Sequence, residues 1–333
     1  MNRYVERGTA ASKATAIAAI VMAGALASAP AWLTEGGLNT LSEFLYFLAL
    51  AQLWNLLAGF GGIVSLGQHA FIGLGGYVLF ALVLFGNVPP VAAFVPAAVA
   101  GALAALAMAQ IVFRLQGAYL AIGTWVVAEV FRLGFAQVSS LGAGSGISLP
   151  ADAVASLDLA PLGRDGVIYL VALALALATN AGVLWLLRSR HGLALTAIRD
   201  NEQAARSNGV DSRRVKHMIY VAAGSGTALI GALIYLTKFR ISPSAAFDVN
   251  WTGTMIFIAV IGGVGTLEGP VVGALVFFLL REYLADLGSW YMIMLGAAAV
   301  LVMLRLPGGL WGTLAKRFNL QLFPTRRRLL PKA

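Results

Sequence analysis

A carboxylate and a guanidinium, Glu129 and Arg132, sit three positions apart in a stretch from Gly117 to Gln137 that is otherwise mostly apolar. Residues at i and i+3 share a helix face, so the two can pair. Ionisable groups at membrane depth are costly and mark gates or permeation pathways; the other reading is an ion pair that fixes helix packing. A second polar group, Gln52, Asn55, Ser65, Gln68 and His69, surrounds a glycine-rich break between Gly59 and Gly76. Such side chains either hydrogen-bond between helices or line a cavity where the backbone is irregular. Other chemistries find no footing. His69, His191 and His217 lack metal-ligand spacing, and there is no cysteine for a thiolate site or disulfide. No G-x-x-x-x-G-K-[ST] loop is present to cradle a nucleotide, and no acid/base pair clusters in the apolar stretches. No metal site and no catalytic residue are expected.

The elements that hold these groups are membrane helices. Of the 333 residues 59% are hydrophobic and 11% charged, with mean hydropathy +0.84. A soluble domain has roughly a quarter charged residues. The apolar runs are continuous over about 20 residues, as in spanning helices, and do not alternate as barrel strands do. Hydropathy predicts spans near 14–33, 41–58, 63–85, 91–113, 117–137, 167–187, 217–237, 251–264, 270–286 and 289–306. That is about ten, or nine if 251–286 breaks differently; the eighth is short enough to be a half-helix or re-entrant segment. The fold class is therefore all-α, a polytopic bundle forming one domain over 1–333. Net charge +9 follows from Lys and Arg beside the spans, the positive-inside pattern, so nucleic acid is not an expected partner. Both termini and the 188–216 insert carry these cations and are expected on the cytoplasmic side. The 138–166 segment, with Asp152, Asp158 and Asp165, is expected on the other. Arg3, Arg7 and Lys13 before the first apolar run resemble a signal peptide, but Pro30 spoils a cleavage position, and a retained first helix is preferred. One echo runs through the chain: Gly61-Gly62-Ile63-Val64-Ser65-Leu66 and Gly262-Gly263-Val264-Gly265-Thr266-Leu267. It is either a repeat of the kind transporters use or coincidence.

The insert from Arg188 to Lys216 is the main polar surface. Asp200 can cap a short helix with Gln203 reaching back, Ala204 and Ala205 favour helix, and Asn208-Gly209 stops it. A second start follows at Asp211-Ser212. Arg213, Arg214 and Lys216 then fall at a helix N-terminus, where the macrodipole disfavours cations, so membrane orientation or a partner must outweigh it. A capped element of this length reads as a docking surface more readily than as a solvated loop.

Four stretches resemble the LivM-like branch of the branched-chain amino acid permease family of ATP-binding-cassette (ABC) importers. They are Leu53-Trp54-Asn55-Leu56 continuing through Gly59 to Tyr77; Gly117-Ala118-Tyr119-Leu120-Ala121-Ile122-Gly123-Thr124 with Glu129; Ala197-Ile198-Arg199-Asp200-Asn201-Glu202-Gln203-Ala204-Ala205 closing at Gly209; and Ile261 to Ala274. They cover much of 50–285 in the family's order. The outer loop departs, with Leu141-Gly142-Ala143-Gly144-Ser145-Gly146 where members often show T-G-G-x-x-G. The resemblance implies an inner-membrane, multi-pass permease for leucine, isoleucine and valine or a related small polar solute. It further implies a second permease in a heterodimer, two cytoplasmic ATP-binding subunits that carry ATP and Mg, an extracytoplasmic substrate-binding protein, and surrounding lipid; no cofactor is expected on this chain. Ala197, Ile198, Arg199, Asp200, Asn201, Glu202, Ala204, Ala205 and Gly209 are implied to couple to the ATPase. Asn55, Ser65, Gln68, His69, Thr124, Glu129 and Arg132 are candidates for pathway or gate, and Gly61, Gly62, Gly67, Gly262, Gly263 and Gly269 for helix breaks. The alternatives are a urea or short-chain amide permease of the same family, or an ion-coupled secondary transporter, which would be expected to carry several buried carboxylates.

Overall fold

Helices account for nearly all of the computed structural model, which describes residues 3–6, 10–158, 162–284, 290–318, 322–323 and 328–331. The basic positions Arg7, Arg326, Arg327 and Lys332 lie outside these. In order come α1 (Ala10–Ala27), α2 (Glu35–Asn55), α3 (His69–Gly86), α4 (Phe94–Val112) and α5 (Ala118–Ala136). Then follow a short α6 (Ala151–Ala155), α7 (Gly163–Arg188), α8 (Arg190–Asp200), α9 (Glu202–Ser207) and α10 (Ser212–Lys238). The last third holds α11 (Pro243–Ala246), α12 (Val249–Gly262), α13 (Gly269–Leu284), α14 (Trp290–Arg305) and α15 (Gly309–Arg317).

Each of the ten expected spans contains a helix. Among the described residues eight segments are long and apolar enough to cross a membrane; the apolar stretch Ile17–Ala31 and the 16-residue α13 are shorter. At ~1.5 Å per residue, α12 and α13 alone reach about 21 and 24 Å, less than a hydrocarbon core of about 30 Å, and α12 becomes long enough to cross only together with α11, as Pro243–Gly262. They pack on each other as a hairpin through backbone contact: a Cβ on Gly273 would lie 1.9 Å from the Ile258 carbonyl oxygen. The short eighth span is thus one arm of a two-helix element.

The most buried helices are α2 and α10, with α10 against α3 and α4 and α2 against α7. Apolar side chains gain little by leaving lipid for one another, so close backbone approach carries the packing. A Cβ on Gly75 would fall 1.8 Å from the Ala228 carbonyl oxygen, and one on Gly231 would fall 2.3 Å from that of Ile72, so α3 and α10 touch main chain to main chain. Beyond α5 and α10, Ile147–Ser148 pairs antiparallel with Arg240–Ile241. This sets the Ile147–Ser148 strand at the opposite end of α10 from α8 and α9.

Candidate functional site

Two helix breaks meet at one joint. α2 runs into a single π-turn, Leu56–Phe60, and regular structure resumes only at His69, so the expected span 63–85 starts six residues late. The second break separates α12 from α13. In each, the second glycine of the Gly-Gly pair has a positive φ, +65° at Gly62 and +133° at Gly263, which L side chains rarely adopt. The sequence echo is therefore a structural one: helix, Gly-Gly turn, helix, twice. Asn55 fastens the two turns together. Its Nδ2 donates to the Thr266 carbonyl at 2.8 Å and its Oδ1 accepts from the Gly265 N–H at 2.8 Å, while a Cβ on Gly59 would lie 2.4 Å from the Gly265 nitrogen. The Thr266 hydroxyl accepts from Gly269 N–H, starting α13 with Pro270 in its first turn, where no donor is needed.

The polar insert rests on this joint. It is more ordered than the sequence suggests, because residues 190–200 form α8, which packs on α7 and α10 through buried Leu195 and Ile198. Gly192 allows the tight turn from α7, and the Ser189 hydroxyl accepts from His191 N–H. Asp200 is consumed as the last residue of α8, so the cap of α9 is Asn201, whose Oδ1 accepts from Ala204 N–H at 2.9 Å. The expected stop at Asn208-Gly209 and the start at Asp211 are both present, Asp211 accepting from Arg214 N–H. Arg199 connects insert to joint: its Nη1 donates to the Gly59 carbonyl at 3.1 Å, a group left over at the end of α2, and its guanidinium also reaches Asp200. Glu202 turns inward. Lys216 Nζ lies 2.6 Å from Oε2 and Arg206 Nη2 lies 2.8 Å from Oε1, tying α9 to α10. Burial is the largest single influence on Glu202 and pushes its carboxyl up, but hydrogen bonds from Lys216, Ser212 and Arg206 together with the Lys216 charge hold it below its ordinary value. What the insert shows to solvent is Arg190, Leu193, Ala197 and Asp200 on α8 and Gln203, Ala204, Arg206 and Ser207 on α9. Ala205 is buried. Leu193 was missed in the sequence; its spacing of four from Ala197, opposite Leu195 and Ile198, is the signal that α8 has an exposed apolar edge.

The polar candidates in the spans divide into two kinds. Asn55, Ser65, Gln68, His69 and Thr124 are buried and hydrogen-bonded around the first break. Thr124 Oγ1 accepts from Leu66 N–H, Gln68 Nε2 donates to the Ser65 hydroxyl, and the Thr252 hydroxyl accepts from His69 N–H. A Cβ on Gly67 would strike the Thr124 carbonyl, and Gly61, Gly262 and Gly269 are similarly crowded. Gln52 is also buried, yet both its amide atoms lack a partner among the described residues. Glu129 and Arg132 differ. They pair through Arg132 Nε, 2.9 Å from each carboxylate oxygen, but remain 44% and 34% exposed on the outer face of α5. Neighbours on that face are Ile122, Trp125, Val126 and Leu133, while Thr124 and Ala128 face inward.

A family model described as a branched-chain amino acid transport system permease component matches residues 37–304. The chain belongs to this permease family. Its relatives include the high-affinity branched-chain amino acid transport system permease protein LivM of Escherichia coli (strain K12), 28% identical over 92% of this permease and 76% of the relative. The probable branched-chain amino acid transport permease protein LivH of Methanocaldococcus jannaschii is 22% identical over 79% of this permease and 85% of the relative. A ribose import permease protein, RbsC of Bacillus subtilis (strain 168), aligns over a shorter part, 30% identical over 36% and 40% of the two chains, so the likeness reaches permeases for another solute. No solved structure matches. The relatives are transport permeases and not enzymes, and the permease is a multi-pass membrane protein.

Proposed function

We propose that this permease is one half of a heterodimeric pore that imports leucine, isoleucine and valine or a related small polar solute across the inner membrane. ATP hydrolysis on two separate cytoplasmic subunits drives it, and an extracytoplasmic binding protein delivers the solute. The observation that carries the reading is the outward face of α5. An ion pair at membrane depth that points away from its own bundle is unsuited to lipid and suits a water-filled path or a facing protein. Glu129 and Arg132 then border the pathway on the α5 face, toward a second permease. The buried polar residues around the first break hold α5 to that break, so that movement of the joint moves the pathway wall.

Coupling fits the same layout. The ATPase subunit docks on the exposed strip of α8 and α9, with Leu193 as its apolar contact. Glu202 and its two cationic partners keep α9 rigid on α10, and Arg199 passes displacement to the joint of Gly59 and Gly265. Both termini and this strip face the cytoplasm in this reading, which the distribution of Lys and Arg supports. Reconstitution with candidate ATPases, partner permease and binding protein, followed by labelled leucine uptake, tests the proposal. ATP-dependent uptake that fails when any component is omitted is expected; ATP-independent uptake by this chain alone would overturn it.

A further inference from the structure

At the positive end of the α10 dipole Asp211 caps the helix and pairs with Arg214, and Lys216 pairs with Glu202, which leaves Arg213 as a cation where a further anion is favoured. The surrounding surface is built for one. A cavity of about 640 Å³ opens between the ends of α4, α5, α9 and α10, and its wall holds Arg114, Arg206, Arg213 and Lys216 against the single acid Glu202. Glu202 is already satisfied by Lys216 and Arg206. Arg114 and Arg213 make no ion pair among the described residues; Arg213 donates only to the Gln110 side-chain carbonyl. His217 lines both spaces, its Nδ1 lying 2.7 Å from the Arg213 carbonyl oxygen.

The cavity continues into an apolar groove. A second space of about 900 Å³ shares Gln110, Arg213 and His217 with the first and runs between α4 and α10. The Asp211–Arg214 ion pair stands at its mouth, and its walls are Ala102 and Leu106 on one side and Met218, Val221 and Ala222 on the other, ending at Ser225. From Arg213 to Ser225 the helix rises about 18 Å, a little more than half the roughly 30 Å hydrocarbon core, which is the depth of one leaflet. Its walls are fixed, because Gly101 and Gly224 bring α4 and α10 into contact.

We propose that this continuous site binds one anionic phospholipid of the phosphatidylglycerol type. The phosphate sits between Arg114 and Arg213, and an acyl chain follows the α4–α10 groove. Basic pockets beside membrane helices recognise such headgroups. The placement in the cytoplasmic leaflet rests on the orientation proposed above. A lipid there touches the same α9–α10 corner that Glu202 braces, so it supports the coupling element from the membrane side.

Native mass spectrometry of the purified full chain, and of any complex that co-purifies, tests this without transport or ATP and so separates its failure from that of the import reading. The probes are phosphatidylglycerol and phosphatidylethanolamine in nanodiscs. Retention of phosphatidylglycerol over phosphatidylethanolamine is expected, falling about fivefold for each of Arg114→Gln and Arg213→Gln. Arg213→Lys restores it, and Leu106→Trp, which fills the groove and leaves every charge, expels it. Arg317→Gln, an exposed cation on α15, leaves it unchanged. Equal loss with Arg317→Gln, no loss with the double neutralisation, displacement by millimolar inorganic phosphate alone, or cross-linking of Leu106→Cys to a protein instead of lipid would overturn the proposal.

Discussion

Asn55 and Arg199 clamp the same joint from different sides, and a double-mutant cycle measures whether the joint is a single unit. Asn55→Leu keeps much of the side-chain volume but removes both hydrogen bonds at 2.8 Å, leaving the Gly265 N–H and the Thr266 carbonyl without a protein partner. Each unsatisfied group costs about 1–3 kcal/mol, and both loop residues are half-buried and partly open to water, so the loss should be about 2–4 kcal/mol. Arg199→Gln removes a charged donor from the Gly59 carbonyl. With part of that guanidinium in solvent, about 1 kcal/mol is expected. Because Gly59 and Gly265 touch through their backbones, the second substitution should cost less once the first has loosened the joint. A coupling energy of about 0.5–1 kcal/mol is expected, against additivity within roughly 0.3–0.5 kcal/mol for independent sites. Reversible unfolding in mixed micelles, titrated with a denaturing detergent, gives all four corners of the cycle. Additive losses, or a loss below about 0.5 kcal/mol for Asn55→Leu, would refute the idea that the two breaks are held as one.

Glu129→Gln should change stability by no more than about 1 kcal/mol, since a half-exposed pair is worth little, yet lower coupled uptake at least tenfold; unchanged uptake removes α5 from the pathway. Glu202 has a folded-state pKa below its ordinary 4.5, so its contribution is complete above that value and is lost as pH falls through the lowered one. Coupled transport should therefore be insensitive to this group from pH 8 to about 5, and Glu202→Gln should raise ATPase turnover per solute throughout that range; a wild-type ratio counts against the brace. Gln52→Leu deletes a buried amide with no partner and should be neutral or stabilise the fold by up to about 1–3 kcal/mol in the same micelle titration. A clear destabilisation would mean that the amide is hydrogen-bonded, by water or a partner, in the membrane.

What was legible in the sequence was what local spacing encodes. Continuous apolar runs gave every span, the i, i+3 spacing gave the Glu129–Arg132 pair, and repeated Gly-Gly turns marked both breaks. α8 was hidden because Leu193, Leu195 and Ile198 sit among Arg190, His191, Thr196 and Asp200, a mixture too polar to stand out from a loop. Its presence moved the α9 cap by one residue, because Asp200 and Asn201 are both good caps and only the end of α8 decides between them. Glu202 read as a surface group because its partner Lys216 lies on another helix. The contacts that make the joint, Arg199 to Gly59 and Asn55 to Gly265, span 140 and 210 positions. No local pattern announces such distant pairing; only the folded path brings them together.

The meeting of Gly59 with Gly265 has a consequence for how such a permease can diversify. At that spot two stretches of main chain abut with no side chain between them, so there is no residue whose size or polarity could be adjusted in small steps. Adding even one methyl group would drive the strands of the joint apart. On the reading proposed above, variation that retunes solute choice accumulates on the α5 face, while the joint admits only one solution. A machine can in this way keep its lever and exchange its cargo.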